Sequence, residues 1–423
     1  MKTLFSILAL VELGLISSAL AQGPGSAGFL FLLIQPSPRA HGMAGVSVAS
    51  AESDAIAITF NPAHLGRMAR DRYFAFELYP GKTNWLPQLA SDLGYDAKTV
   101  LGGYNFKRLD KRIPVSLGIA YSRIFFDLGE RIITGENDPT ELYTFHSTER
   151  ANVWSIGLGF DYLVKAGIGL SLKNIASNLA PPISNTGPRG DGHATANARD
   201  FGVVACLPID EVVSKLTHKA FEVRPGLRPI LGLGLGYSKS NIGGKITYID
   251  ATQADLLPRT ARIGTSLNAG LALSKAEQAW RLVSFEQVYE AEQLLARNNR
   301  GEVSYAGLLG DINFWDNAVL RKGNSAIIAK RGWELKLFEI LAIRGGHYDD
   351  PRGRVIYDTQ GFGFSLHGVL KAIRYFNPKL QEEPTLKFLY NHIDIQLESS
   401  SLTAGAGHPF AGTEFQGITI SVF

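Results

Sequence analysis

Through most of the chain, large apolar residues alternate one for one with glycine, serine and alanine, and this period of two constrains the fold more than any other feature. Val115, Leu117, Ile119 and Tyr121 alternate with Ser116, Gly118 and Ala120, and Trp154, Ile156, Leu158, Phe160 and Tyr162 with Ser155, Gly157, Gly159 and Asp161. The pattern returns with Ile168, Leu170 and Leu172 over Gly169, Ser171 and Lys173, and with Leu231, Leu233, Leu235 and Tyr237 over Gly232, Gly234, Gly236 and Ser238. Ile263, Thr265, Leu267, Ala269, Leu271 and Leu273 over Gly264, Ser266, Asn268 and Gly270, and Phe362, Phe364 and Leu366 over Gly361, Gly363 and Ser365, repeat it. Successive strand residues point to opposite faces, so each segment reads as a strand with one greasy face and one narrow face.

A soluble β-sandwich alternates too, but its outer face is watered and rich in Lys, Glu and Thr. Here the second face is Gly, Ser and Ala with occasional Asp161, Lys173, Glu334 and Lys336. That composition suits the inner wall of a closed barrel against which a plug packs closely. Aromatic residues at the ends of the greasy faces fit interfacial girdles. Past residue 22 there is no run of 18 apolar residues to make a helical span, whereas a strand of roughly 10 residues tilted about 45° crosses a bilayer. The reading is an all-β, transmembrane antiparallel barrel.

Fourteen strands are expected, at 72–79, 98–107, 114–126, 150–163, 166–177, 199–208, 228–239, 258–274, 279–289, 328–338, 339–348, 355–368, 386–398 and 413–423. The count is even, as single-chain bacterial barrels require, with blurred alternation at 279–289 and 328–348. Short connections at 109–112 and 164–165 oppose long ones at 127–149, 178–198 and 290–327, the asymmetry of periplasmic turns and external loops. Residues 82–94, with Leu86, Leu89 and Leu93, and 209–220, with Val212, Val213 and Leu216, suggest short loop helices.

The ends agree with export. Lys2, an apolar stretch over residues 4–16 and Ala19-Leu20-Ala21 before Gln22 form a signal peptide over residues 1–21. At the other end, Gly417, Ile420, Val422 and the final Phe423 have the spacing of a barrel-assembly signal. The expected location is the outer membrane of a Gram-negative-type bacterium, with outer-membrane lipid around the wall.

Composition excludes several functions. With 42 Lys and Arg against 39 Asp and Glu, the chain lacks the basic bias of a nucleic-acid binder. The lone Cys206 forbids an internal disulfide or a cysteine zinc cluster. Gly157-Leu158-Gly159 and residues 232–236 place glycines at period two inside strands, with no helix to receive a phosphate. The nine histidines form no His-x-x-x-His pair, and if His41 and His64 meet, a lumenal hydrogen bond suits them better than a metal. Residues 349–353 read as a turn without calcium-loop spacing. No nucleophile and base pair is apparent, so neither catalysis, a cofactor nor a metal is expected.

Before the first strand stand Arg39-Ala40-His41-Gly42-Met43-Ala44-Gly45, Ser53-Asp54-Ala55 and Phe60-Asn61-Pro62-Ala63-His64-Leu65-Gly66. Pro62 suits the first position of a short helix, with Asn61 as its cap and Gly66 just past its end. These runs resemble the opening of the PorV/PorQ family of outer-membrane proteins, relatives of the FadL fatty-acid transporters. The family's Arg-x-x-Gly-Met-Gly falls on Arg39, Gly42, Met43 and Gly45, with Ala44 for a glycine. Its Asn-Pro-Ala-x-Leu falls on Asn61, Pro62, Ala63 and Leu65, and Asp54 lies between. The likeness recurs at residues 257–260, from Trp333-Glu334 to Arg344-Gly345-Gly346 with Asp349, and at Gly361-Phe362-Gly363. It implies an N-terminal hatch at 22–70 filling the lumen of a barrel at 71–423.

The resemblance further implies a non-enzymatic component of type IX secretion, whose protein partners are a translocon, the C-terminal domains of cargo or an attachment complex. Leu308, Leu309, Phe314 and Trp315, aromatic and aliphatic anchors among charges, are the expected contact loop. The alternative is a FadL-like channel for long-chain fatty acids or other hydrophobic molecules.

Overall fold

The computed structural model describes residues 27–134, 141–179, 192–248, 254–275, 278–299, 302–377, 383–405 and 407–423. The expected signal peptide and most of the 178–198 loop lie outside the described residues.

Alternation produces fourteen antiparallel strands: β1 Phe74–Leu78, β2 Gly94–Asn105, β3 Val115–Thr134, β4 Glu141–Asp161, β5 Lys165–Asn178, β6 His193–Pro208 and β7 Leu227–Gly243, then β8 Thr260–Lys275, β9 Gln278–Leu294, β10 Ile328–Leu337, β11 Leu341–Asp350, β12 Val355–Ser365, β13 Ile393–Thr403 and β14 Glu414–Val422. Each pairs with its sequence neighbours, and the ring closes where Phe74 of β1 faces Val422 of β14 on one side and Gly102 of β2 on the other. Closure leaves no sheet edge among these strands, the condition for crossing a bilayer with strands. The greasy faces point outward: Trp154 and Tyr162, at the two ends of the β4 stripe, are each 60 % exposed, and Ile156, Leu158 and Phe160 between them are also bare. This belt with aromatic ends marks an outer-membrane protein of Gram-negative bacteria.

Several local expectations are corrected. Residues 82–94 form no helix: Thr83 and Asn84 pair with Tyr95 and Gly94, and Leu86 takes a positive φ. Trp85 instead turns onto Phe410 and Phe415. Much of 127–149 is strand, since β3 and β4 pair past a bulge between Asp127 and Glu130 that breaks the alternation. The 290–327 stretch contains the end of β9, a hairpin of Ala296–Asn299 with Glu302–Tyr305, and a wide helical turn at Phe314–Val319. At the opposite end, helix α1 (Ile209–Thr217) lies within the expected 209–220 helix. Helices α2 (Leu366–Phe376) and α3 (Pro384–His392) take over residues 366–368 and 386–392, expected as strand ends. Ser365 ends β12 by capping α2, its side chain accepting from Gly368 N.

Long connections gather at one rim, here the loop end, and strand turns with α1 to α3 at the other, the turn end. The asymmetry places the loop end outside the cell.

Candidate functional site

The lumen is filled by the residues that precede β1. A short helix at Pro38–His41, a 3-10 turn at Ile56–Thr59 and a helix at Ala63–Met68 are almost wholly buried. The narrow inner face makes the fit possible. A Cβ on Gly157 would stand 2.7 Å from Gly66 N, and one on Gly234 2.7 Å from the Ala49 carbonyl. A Cβ on Gly363 would instead meet Glu398 at 2.6 Å, so that glycine makes room for an ion pair and not for the hatch.

The motif residues each hold part of this plug. Arg39 donates to Glu334 (2.9 Å), to Glu286 (3.1 Å) and to the Glu52 carbonyl (2.7 Å). Gly42 sits against Gly361 with no room for a side chain, and Met43 is fully buried beside Gly332. Ala44 and Gly45 both have positive φ, at 59° and 77°, the region that favours glycine and explains why one fits the Ala44 position in the resembled motif. Asp54 accepts from Ala57 N at 2.7 Å and from the Ser37 hydroxyl. Asn61 accepts from Ala63 N (3.1 Å) and donates to the Val48 carbonyl (2.8 Å), so it holds the turn at Pro62, although the helix begins one residue later than expected, at Ala63 with Pro62 in the cap position. Leu65 is buried against Gly118.

Gly66 departs from expectation. The helix runs on to Met68, and Gly66 lies inside it, pressed on the Leu158 backbone where a Cβ would collide. Its role is close approach to the wall.

The wall facing the hatch is divided. Strands β8 to β13, together with Arg39 of the hatch, carry a buried ionic network in two clusters: Arg39, Lys336 and Arg344 with Glu286, Glu334 and Glu398, and Arg262 and Lys330 with Glu290 and Glu292. Arg344 links Glu334 to Glu398, and Arg262 and Lys330 share Glu292. The hatch backbone plugs into the network, with Ser47 N and Val48 N donating to Glu290 and Ala51 N to Glu286. Of these, Arg39, Glu334 and Arg344 stand in the sequence motifs. The signal for the others was Glu286, Glu290 and Glu292 at even spacing on β9, where bulky charges on the inner face blur the alternation.

Toward the loop end the lumen is apolar. Tyr95, Ile124, Phe126, Val153, Ile175, Leu402 and Phe415 project from the wall onto Phe29, Phe31, Leu32 and Ile34 of the hatch's leading segment. This chamber carries no sequence motif, because its lining comes from strand ends distant in the chain. His41 stacks on Phe415 at 3.6 Å, while His64 contacts the Ser47 carbonyl through Nε2 at 2.8 Å. The two histidines thus have separate partners. Burial lowers each imidazole from its ordinary value to about 3, with Lys330 adding to the effect at His41 and Arg67 at His64. Among the described residues no group of three or more His, Cys, Asp or Glu could hold a metal.

Open spaces among the described residues include two that are polar. A cavity of about 130 Å³ at the turn end is lined by Arg39, Glu52, Arg281, Lys336, Arg344 and Glu398 among others. A depression of about 550 Å³ near the loop ends of β4 to β6 is lined by Arg150, Asn152, Asn174, Thr195 and Asn197.

The remaining sequence candidates lie apart from the lumen chemistry. Gly417 faces Pro38 of the hatch, Ile420 faces outward, Val422 pairs with Phe74, and Phe423 N donates to the His392 carbonyl. Leu308 and Trp315 are exposed on the outer side of the barrel near the loop end, while Leu309 and Phe314 pack against the cluster beneath them. The 349–353 turn forms as read, with Asp350 accepting from Arg352 N and Gly353 N.

No family model matches the chain, and no curated protein matches it. Solved outer-membrane structures align over most of its length. The toluene transporter TodX of Pseudomonas putida aligns at 13 % identity and TM-score 0.39, over 90 % of this chain and 96 % of TodX. A FadL homologue of Pseudomonas aeruginosa aligns at 11 % identity and TM-score 0.35, over 90 % and 96 %, and OprD of the same organism at 10 % and 0.29, over 86 % and 96 %. At those scores the likeness says nothing about what this chain carries.

Proposed function

We propose that the protein is a non-enzymatic, hatch-gated outer-membrane passage for hydrophobic molecules such as long-chain fatty acids. One observation carries the reading: the loop-end lumen is lined by aromatic and aliphatic side chains and filled by an equally apolar segment of the hatch, residues 29–34. A passage for sugars or ions has a polar, watered lumen, whereas an apolar chamber with few polar groups suits an apolar ligand. Displacing residues 29–34 frees this surface for a guest of like chemistry. The purified protein should bind a fluorescent long-chain fatty acid that unlabelled fatty acid displaces and sugars do not. Substitution of Phe31 and Leu32 by Ala should alter that affinity without changing the heat-dependent gel mobility of the barrel. Failure to bind any apolar probe, with free permeation of sugars, contradicts the proposal.

A secretion role of the PorV/PorQ kind is the second reading, favoured by the exposed Leu308 and Trp315. Under it, a tagged copy co-purifies with a translocon or with cargo, and Phe314→Ala with Trp315→Ala weakens that association in a folded barrel.

A further inference from the structure

The segment after β9 folds along the outside of the barrel. Ile312, Ala318 and Ile327 pack with Ala261, Ile263 and Ala291, outward positions of β8 and β9. The Thr265 hydroxyl donates to the Ala318 carbonyl at 3.1 Å and the Tyr237 hydroxyl to the Leu308 carbonyl at 3.1 Å. The Arg321 guanidinium lies 3.3 Å over the Tyr289 ring. This knuckle therefore covers its own patch of wall, yet it turns a second apolar surface outward, with Trp315 67 % exposed and Leu308 and Leu320 also bare.

Two observations identify what covers that surface. The first is continuity: Leu267, Phe285 and Trp333, further along the same outward faces, belong to the bare membrane belt, so the knuckle's apolar side extends the surface that lipid already covers. The second is charge. Arg331 is in register with Tyr289, on which Arg321 stacks. Both arginines are exposed, and among the described residues neither makes a salt bridge. Lys322, by contrast, is paired with Asp316. Cations without carboxylates, directly beyond an apolar belt and beside Trp333, stand at the depth of lipid headgroups.

We propose that the knuckle and the outer faces of β8 to β10 form a docking site for a membrane lipid with a net-negative phosphate headgroup. Its acyl chains lie along Trp315, Leu320 and Leu267, and its phosphate sits beside Arg321 and Arg331. The site is independent of what the lumen carries.

The test uses the full chain in nanodiscs of phosphatidylcholine containing a minority of phosphatidic acid. Mass spectrometry of the lipids retained after transfer to detergent should show roughly a tenfold or greater preference for phosphatidic acid. Arg321→Glu with Arg331→Glu should abolish the preference, and Arg321→Lys with Arg331→Lys should keep it, each variant retaining heat-dependent gel mobility as proof of folding. A spin label on Leu320→Cys, with the native Cys206 buried, should collide more with dissolved oxygen than with a water-soluble nickel chelate. Equal retention of both lipids, or a label that meets nickel more readily, overturns the proposal. So does a photo-cross-linker on the same Leu320→Cys that captures a protein in cells while lipid preference is absent.

Discussion

Arg39 carries more of the hatch's attachment than any other side chain. It is buried and reaches two carboxylates on different strands as well as a backbone carbonyl of its own segment. Although burial alone would depress it, Glu334 and Glu286 hold its guanidinium charged well above its ordinary range. In Arg39→Ala, Glu334 keeps Arg344 and Lys336, but Glu286 loses the one cation that pairs with it among the described residues. Stranding a buried carboxylate costs about 3–5 kcal/mol. The expected outcome is a barrel that persists with a loosened hatch. The check is Val48→Cys, which should react with a water-soluble thiol reagent far faster in the Arg39→Ala background. Adding Glu286→Gln should slow the reaction again, because the stranded charge is gone.

At the scale of the element, the hatch should respond to pH as a unit. His41 and His64 are held neutral, with folded values near 3 against an ordinary value near 6.5. The released hatch therefore takes up protons first. Their contribution to seating is complete above about pH 6.5 and is lost as pH falls toward 3, by about 1.4 kcal/mol per pH unit for each group. Protease cleavage within residues 38–68 should accelerate between pH 6.5 and 5, and His41→Phe with His64→Gln should flatten that dependence. The strands were legible because belt and narrow wall impose period two on almost every crossing. The misreadings occur where a second constraint overrides the local one. Gly66 looked like a helix end, but the wall at Leu158 requires a glycine within the helix. Leu366 continued the alternation of Phe362 and Phe364, yet the Ser365 cap had already begun α2. The ionic network was hidden because Arg262, Lys330 and Glu398 acquire meaning only when strands far apart in the sequence face one lumen.

For the molecule as a whole, a closed apolar-belted barrel holds a plug with two kinds of contact, ionic along β8 to β13 and apolar toward the loop end. The first sets the register of the hatch, and the second supplies an interior in which a hydrophobic guest can replace residues 29–34. Both depend on the hatch filling the lumen, and single-channel recording in planar bilayers tests this most directly. The full-length protein is expected to show little steady ion conductance, and deletion of residues 28–66 should open a large, stable one while the barrel keeps its heat-dependent gel mobility. A full-length protein that already conducts as strongly as the deletion variant would contradict a hatch-filled lumen and the gated passage built upon it.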